Sequence, residues 1–189
     1  HELTGNWFWW CRNTCTPEEF KQLWRFTVNY LKHKKNLHNL IYLYNTDVVA
    51  DEADYLERYP GDDVVDMLTL DMYQKDNRPR KEQIEAGRRQ LSILCDIAEK
   101  RNKPAALAEA GYEGIPDAKW WTHTFFPVID GFPLSYALFW RNAGYVESMK
   151  KMHYYVPYPG QISAANFKKL YKNRRLLFEK KARKINLYQ

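Results

Sequence analysis

Four short apolar runs recur along the chain, and segments with the spacing of amphipathic helices lie between them. A continuous apolar run of this length is typical of a strand that is buried in a parallel sheet. Strands that alternate with single helices predict βαβ units and therefore an α/β fold. The predicted strands are residues 37–44, 64–73, 104–109 and 133–140.

The first predicted helix has clear N-terminal signals. Thr16 and Glu19 have the spacing of a capping box, and Pro17 occupies the first helical position. Six residues should face inward from this helix: Phe20, Leu23, Trp24, Thr27, Val28 and Leu31. The other predicted helices are residues 81–100, residues 117–129 and a helix capped by Ser163, with Phe167, Leu170 and Tyr171 facing inward.

The spacing of the strands matches the repeat of a (β/α) barrel. Four such units make half of a barrel, which typically needs ~250 residues, whereas the chain has 189. A four-stranded open sheet is the alternative. No glycine-rich loop follows any of the strands, and this argues against a nucleotide-binding sheet.

One strand end combines an apolar run with a carboxylate. The run over residues 104–109 ends in Glu109, and Gly111 follows two residues later. The carboxyl ends of the strands are where α/β barrels keep their chemistry, and a charge buried there is costly unless it is paired or used. Glu109 is therefore a candidate catalytic residue, and a structural cap or salt bridge is the alternative.

The other strand ends should lie on the same face as Glu109. They read Tyr-Asn-Thr-Asp at 44–47, Asp-Met-Tyr-Gln at 71–74 and Trp-Arg-Asn at 140–142. By its order along the chain, the Trp-rich loop after Glu2 follows a strand whose body is absent, which places Glu2 at this face too. Two carboxyl groups, one protonated and one ionised, are what glycoside hydrolysis requires. No Ser-His-Asp or Cys-His arrangement is evident.

The composition fits a sugar cleft. The chain has 7 Trp, 14 Tyr and 9 Phe, and aromatic faces bind sugar rings, although a large aromatic core would use the same residues. The histidines and cysteines show no zinc spacing, so we predict no metal and no cofactor. The odd cysteine count argues against a disulfide framework and favours three free thiols, with pairing of Cys11 and Cys15 as the alternative.

The formal net charge of +6 comes largely from a basic tail at residues 168–184. Such a tail can bind nucleic acid or an anionic surface. Its lysines and arginines alternate with apolar residues at helical spacing, which favours the solvated face of a terminal helix. We therefore predict no nucleic-acid partner. No apolar run approaches the length of a membrane span.

Taken together, several motifs resemble glycoside hydrolase family 26, and in particular its bacterial endo-β-1,4-mannanases. The likeness runs from residue 1 to about residue 178. The matching stretches are HELTGNWFWW (1–10), TPEEF (16–20), LWR (23–25), YPGDD (59–63), DMYQ (71–74), AEAGYEGIP (108–116), FWRNA (139–143) and YYVPYPG (154–160).

The resemblance implies a retaining (β/α)8 barrel with two catalytic glutamates. Glu2 matches the acid/base on the fourth barrel strand, and Glu109 matches the nucleophile on the seventh. His1 matches the histidine beside the acid/base. The sequence departs from the family pattern at Ala110, where the family more often has Thr, and at Cys11, where it usually has Gly.

The resemblance also implies the residues that bind substrate. Asp71 and Tyr73 match a pair near the nucleophile, where the tyrosine hydroxyl can hydrogen-bond the carboxylate. Trp140 matches the platform under the cleaved sugar, and Arg141 is its polar neighbour. Trp7 matches an aromatic residue that lines the cleft.

We therefore predict the C-terminal half of a (β/α)8 TIM barrel, from the tip of strand four through strand eight and the terminal helices. Residues 1–189 would form a partial catalytic domain without the N-terminal half of the barrel, and residues 179–189 a basic terminal extension. The predicted reaction is retaining endo-hydrolysis of β-mannan, galactomannan or glucomannan. The alternatives are a non-catalytic carbohydrate-binding fragment and a family xylanase or mixed-linkage glucanase.

Two further expectations concern the surroundings of the chain. An open half-barrel exposes a strand edge and apolar faces, which would allow self-association. The substrate class implies a secreted, periplasmic or cell-surface enzyme. Because the chain begins at His1 rather than Met, we expect its secretion signal to lie upstream.

Overall fold

The computed structural model describes residues 3, 6, 8–75 and 78–185. Within these ranges, four strands form the main sheet and lie side by side in chain order. The strands are β1 (Leu43–Thr46), β2 (Met67–Gln74), β3 (Ala105–Tyr112) and β4 (Leu134–Phe139). β1 is parallel to β2 and β3 is parallel to β4. Sequential order with helical crossovers is the arrangement expected of the predicted α/β fold.

Helices connect and follow these strands. The helices are α1 (Pro17–Asn29), α2 (Glu52–Leu56), α3 (Arg80–Lys100), α4 (Phe126–Ile129), α5 (Ala164–Tyr171) and α6 (Glu179–Ala182). Single π-helical turns at Tyr30–Lys34 and Trp121–Phe125 extend α1 and precede α4. A two-stranded antiparallel hairpin, β5 (Gly144–Val146) and β6 (Lys151–His153), follows β4. Among the described residues, no helix is both long and apolar enough to cross a membrane.

The predicted start of α1 is confirmed. The Thr16 hydroxyl accepts a hydrogen bond from the backbone N–H of Glu19 at 3.2 Å. The Glu19 carboxylate accepts one from the backbone N–H of Thr16 at 2.7 Å. These reciprocal bonds satisfy two backbone donors that the first helical turn would leave open.

The chain divides into two compact units. The first contains the described residues within 1–73, 86–111 and 131–139, and it includes most of the main sheet. The second contains those within 74–85, 112–130 and 140–189. The second unit is therefore built from the segments that directly follow β2, β3 and β4, together with the C-terminal helices.

The core of the first unit contains an aromatic cluster around Tyr44, which is fully buried. Four rings surround it with centroid distances of 5.2 to 6.4 Å: Phe20, Trp24, Tyr55 and Tyr59. Each meets the Tyr44 ring edge to face, the geometry that aromatic quadrupoles favour. Part of the high aromatic content therefore serves the core and not a sugar cleft.

The second unit has its own aromatic core around Trp121. This side chain is fully buried, and its ring lies 4.8 Å from the rings of Trp120 and Phe167. The indole N–H donates to the Ser163 hydroxyl at 2.9 Å. A buried indole N–H needs such a partner, because an unsatisfied donor is costly.

The first strand was predicted in the wrong place. Residues 37–44 were expected, whereas β1 is Leu43–Thr46. Pairing with the next strand begins where the Asp66 N–H donates to the Tyr42 carbonyl at 2.8 Å. The earlier apolar residues stay outside this ladder, and three of them are exposed: Leu37 by 39%, Leu40 by 42% and Ile41 by 69%.

Three helix predictions also need correction. Ser163 precedes α5, but its hydroxyl does not cap that helix; it donates to the Gln161 carboxamide at 2.6 Å. The helix predicted over 117–129 begins later, because the Asp117 carboxylate accepts the Lys119 N–H at 2.8 Å in a turn. The predicted single basic helix at the C-terminus is interrupted between α5 and α6.

One side chain of α1 was also predicted on the wrong face. Thr27 is exposed rather than inward-facing. Its hydroxyl donates to the Leu23 carbonyl one turn earlier at 2.8 Å. This local bond satisfies the hydroxyl without a partner from the core.

Candidate active site

Two predicted site residues meet between the C-terminal halves of β2 and β3. The Tyr73 hydroxyl donates a hydrogen bond of 2.7 Å to Oε2 of Glu109. Glu109 is partly exposed, while the neighbouring Ala106, Leu107 and Ala110 are buried. The strand was predicted to end at Glu109, but β3 continues to Tyr112, because Ala110 still pairs with Phe139 of β4. The carboxylate therefore lies within the strand, where a neighbour holds it and it stays partly exposed.

Asp71 lies on the same face of β2 as Tyr73, because alternate residues of a strand share a face. Its side chain is buried, at 3% exposure. Oδ2 of Asp71 accepts a hydrogen bond of 2.6 Å from the Asn45 side-chain amide. Burial is the main cause that raises the pKa of Tyr136 on β4, and the negative charge of Asp71 raises it further. The charge of Asp71 therefore reaches the side chain of Tyr136 on β4.

Five further residues were predicted for the site: Glu2, His1, Trp7, Trp140 and Arg141. Glu2, His1 and Trp7 lie outside the described residues. Trp140 and Arg141 belong to the second unit, where the Arg141 guanidinium lies 5.7 Å from the centroid of the Trp140 ring. The structure thus places Asp71, Tyr73 and Glu109 in one unit, and Trp140 with Arg141 in the other.

The structure joins none of the three cysteines in a disulfide; Cys11 and Cys95 are buried and Cys15 is partly exposed. Burial, together with the charge of Asp96, raises the pKa of Cys95 to about 11, and this residue lies in the middle of α3. In the described ranges, no three His, Cys, Asp or Glu side chains gather in a way that could hold a metal ion.

Asn45 contacts Asp71 of the candidate site, but no pattern in the sequence indicates a role for it. The sequence predicts only that Asn45 lies at the end of the first strand. Its partners, Thr69 and Asp71, lie 24 and 26 residues away along the chain. No local pattern links positions so far apart, and only the parallel register of β1 and β2 brings them together.

Comparison with known proteins gives a consistent match. Residues 1–113 match the model of glycosyl hydrolase family 26. The chain belongs to that family. It is 31% identical over 183 residues to a mannan endo-1,4-beta-mannosidase of Bifidobacterium adolescentis, an alignment that covers 89% of this chain and 18% of that protein.

Solved structures of the family are similar throughout the chain. A family 26 β-mannanase of Bacteroides ovatus matches with a TM-score of 0.85 and 45% identity, covering 94% of this chain and 50% of that one. The catalytic domain of a family 26 endo-β-1,4-mannanase of Bacillus sp. JAMB-750 matches with a TM-score of 0.87 and 28% identity, covering 100% and 52%.

These matches confirm the predicted fold class. The family 26 structures are (β/α)8 barrels, and the parallel sheet of this chain corresponds to part of such a barrel. The chain spans about half the length of these solved chains and less than a fifth of the Bifidobacterium protein. The strand order β1 to β4 is then the order of consecutive barrel strands.

Proposed function

We propose that this chain carries the nucleophile of a retaining endo-β-1,4-mannanase. The hydrogen bond between Tyr73 and Glu109 is the observation that supports this most strongly. It orients a partly exposed carboxylate in the C-terminal half of β3, toward the end of the strand at which barrel enzymes place their reactive groups. The relatives named as mannan endo-1,4-beta-mannosidases support mannan as the substrate.

The proposed reaction is a double displacement. The Glu109 carboxylate attacks the anomeric carbon, the glycosidic C–O bond breaks, and Glu2 donates its proton to the departing oxygen. Glu2 then takes a proton from water, whose oxygen attacks the anomeric carbon, and the bond to Glu109 breaks. The sugar leaves with its original configuration, and a retaining site of this kind needs carboxyl groups about 5–5.5 Å apart.

The other predicted site residues bind the sugar in this proposal. Trp140 offers an aromatic face to the pyranose ring at the cleavage point, and Arg141 supplies hydrogen-bond donors beside it. Asp71, His1 and Trp7 complete the lining of the cleft. None of these steps calls for a metal or cofactor, since the acid, the base and the nucleophile are all carboxyl groups.

The proposed substrate places the enzyme outside the cytoplasm. Mannan, galactomannan and glucomannan are polymers that must be shortened before a cell can import them. We therefore propose a secreted, periplasmic or cell-surface location. Detection of the chain in culture medium or in surface fractions, with a cytoplasmic marker absent from them, tests this location.

The sheet edge supports a further proposal, self-association. β4 is an outer strand of the main sheet, and Tyr136 and Leu138 on it are exposed by 38% and 46%. An outer strand and exposed apolar side chains on its face both favour association with another chain. Sedimentation velocity should show concentration-dependent dimers that Leu138→Lys weakens. A strictly monomeric chain contradicts this proposal.

Reducing-end release from β-mannan tests the catalytic proposal. We expect the 189-residue chain to release oligosaccharides and Glu109→Ala to lose at least about 10⁴-fold in kcat. Added azide should restore turnover of the variant and yield an α-mannosyl azide, because azide occupies the space of the lost carboxylate.

Each other outcome of that assay contradicts a defined part of the proposal. Release from xylan or mixed-linkage glucan, but not from mannan, would refute the substrate. Binding of mannan without cleavage would indicate a carbohydrate-binding fragment. An active Glu109→Ala variant, or failure of azide to rescue it, would refute the nucleophile.

A further inference from the structure

Asn45 is a buried polar residue inside the parallel sheet. It lies in β1 opposite Thr69 of β2 in the strand register, and it is 6% exposed. A carboxamide has two donor hydrogens and an acceptor oxygen, and burial makes each of them costly to leave unpaired. An apolar residue at this position would avoid that cost, so the hydrogen bonds of Asn45 should have a use.

Two hydrogen bonds fix the orientation of the Asn45 side chain. Its Oδ1 accepts from the Thr69 hydroxyl at 2.8 Å. Its Nδ2 donates to Oδ2 of Asp71 at 2.6 Å. Rotating the amide by half a turn would place its oxygen against the carboxylate oxygen, so this network permits one orientation only. Asn45 therefore presents a fixed donor to a buried carboxylate.

This network lies beside the reacting groups along one face of β2. Thr69, Asp71 and Tyr73 alternate with residues of the opposite face, and Tyr73 donates to Glu109. The carboxylate held by Asn45 therefore lies two residues before the tyrosine that holds the proposed nucleophile. The titratable groups in this part of the sheet include Asp47 directly after β1, Tyr73 on β2, Glu109 and Tyr112 on β3, and Tyr136 on β4.

We propose that Asn45 is a positioning residue for the reaction and acts through Asp71. Its amide donates to the buried Asp71 carboxylate and holds it in one rotamer, and a hydrogen bond of this kind favours the charged form. Asp71 then presents a fixed negative charge on the face that carries the tyrosine–nucleophile pair. The inference rests on the proposed function and adds a residue to it for which the sequence patterns gave no role.

The first test does not depend on activity. The side-chain carboxyl ¹³C shift of Asp71 is followed against pH in the full chain and in Asn45→Leu. Loss of the donor should move proton uptake by Asp71 to higher pH by about one to two units. Asn166→Leu is the matched control, since Asn166 is also buried and its side chain makes two hydrogen bonds to Thr122. An identical Asp71 titration in Asn45→Leu and the wild type would overturn the proposal.

The second test exchanges the two side chains and covers the case in which Asn45→Leu does not fold. In the double variant N45D/D71N the hydrogen bond is kept, but the charge moves from β2 to β1. We expect a folded protein with kcat lowered about tenfold or more. Full recovery of kcat would show that Asn45 and Asp71 only pack the sheet, and would overturn the proposal.

The two tests separate this inference from the proposed function. A wild-type chain that does not cleave mannan refutes the function, and the Asp71 titration still decides whether Asn45 controls that carboxylate. An active wild type with an unshifted Asp71 titration refutes the role of Asn45 and leaves the function intact.

Discussion

The hydrogen bond between Tyr73 and Glu109 joins two strands at the site of the proposed reaction. It is 2.7 Å long and connects residues 36 positions apart in sequence. A hydroxyl that donates to a carboxylate fixes the direction of its oxygens, and this matters for a nucleophile that must approach the anomeric carbon along one line. Removal of the Tyr73 hydroxyl should therefore disturb the orientation of the Glu109 carboxylate and leave the carboxylate itself in place.

We predict that Tyr73→Phe keeps the fold and loses activity. A hydrogen bond to a charged group is worth about 1.5–3 kcal/mol, which corresponds to a roughly 10- to 100-fold lower kcat/KM. Steady-state kinetics on soluble mannan, with circular dichroism to verify folding, measures this. Tyr30→Phe, at an exposed tyrosine after α1, should have wild-type kinetics. Equal kcat/KM for Tyr73→Phe and the wild type would contradict the role of the hydroxyl.

At the scale of elements, the Glu113 carboxylate links the β5–β6 hairpin to the loop after β3. Glu113 accepts from the Lys151 ammonium at 2.6 Å and contacts Nδ1 of His153 at 2.8 Å. The Gly114 N–H also donates to the Tyr154 carbonyl at 2.7 Å. These contacts hold together, within the second unit, the segments that follow the proposed nucleophile strand and β4.

We predict that Glu113→Gln loosens the hairpin without unfolding the protein. A carboxamide cannot form the ion pair with Lys151 and can accept with only one of its two polar atoms. Amide hydrogen exchange in β5 and β6 should become faster, while α3 keeps its protection. Glu147→Gln is the matched control, because it removes the same charge from an exposed position in the hairpin turn. Unchanged exchange in Glu113→Gln would contradict this account of the attachment.

The same carboxylate predicts a pH dependence. Burial alone would raise the pKa of Glu113, but hydrogen bonds and positive charge from Lys151 and His153 outweigh it and lower the pKa. A group with a depressed pKa stabilises the folded state above its unfolded pKa, near 4.5, and this stabilisation is lost as the pH falls through the folded value. Hairpin protection factors should therefore fall below about pH 4.5 in the wild type and not in Glu113→Gln. Parallel pH profiles for the two proteins would contradict this prediction.

At the scale of the whole molecule, the sequence predicts the fold class better than the strand boundaries. The alternation of apolar runs and helices was enough for a parallel sheet, because that pattern depends only on neighbours in sequence. The position of β1 was missed because the strand lies where the backbone meets β2, and not where the chain is most apolar. Asn45 and Thr46 belong to β1 and are buried, although polar residues of this kind are typical of turns. Their place in the strand depends on pairing with β2, which the local sequence does not show.

Some residues of the candidate site could be predicted from the sequence and others could not. Glu109 was predicted because it follows an apolar run, and its pairing with Tyr73 was predicted from the resemblance to the family. Asn45 required the three-dimensional register, since its partners belong to another strand. The Glu113 attachment required it too, because Lys151 and His153 lie 38 and 40 residues away. Sequence motifs thus identify the proposed nucleophile, whereas only long-range contacts in the structure identify the residues that position other side chains and segments around it.

Covalent trapping of Glu109 tests the central claim most directly. A 2-deoxy-2-fluoro-β-mannoside with a dinitrophenyl leaving group needs no proton from an acid, so the first step depends on Glu109 and not on Glu2. Intact mass and peptide sequencing of the full chain should show one fluoromannosyl group, attached to Glu109. A chain that takes up no label, or carries it on another residue such as Glu113, would contradict the assignment of the nucleophile.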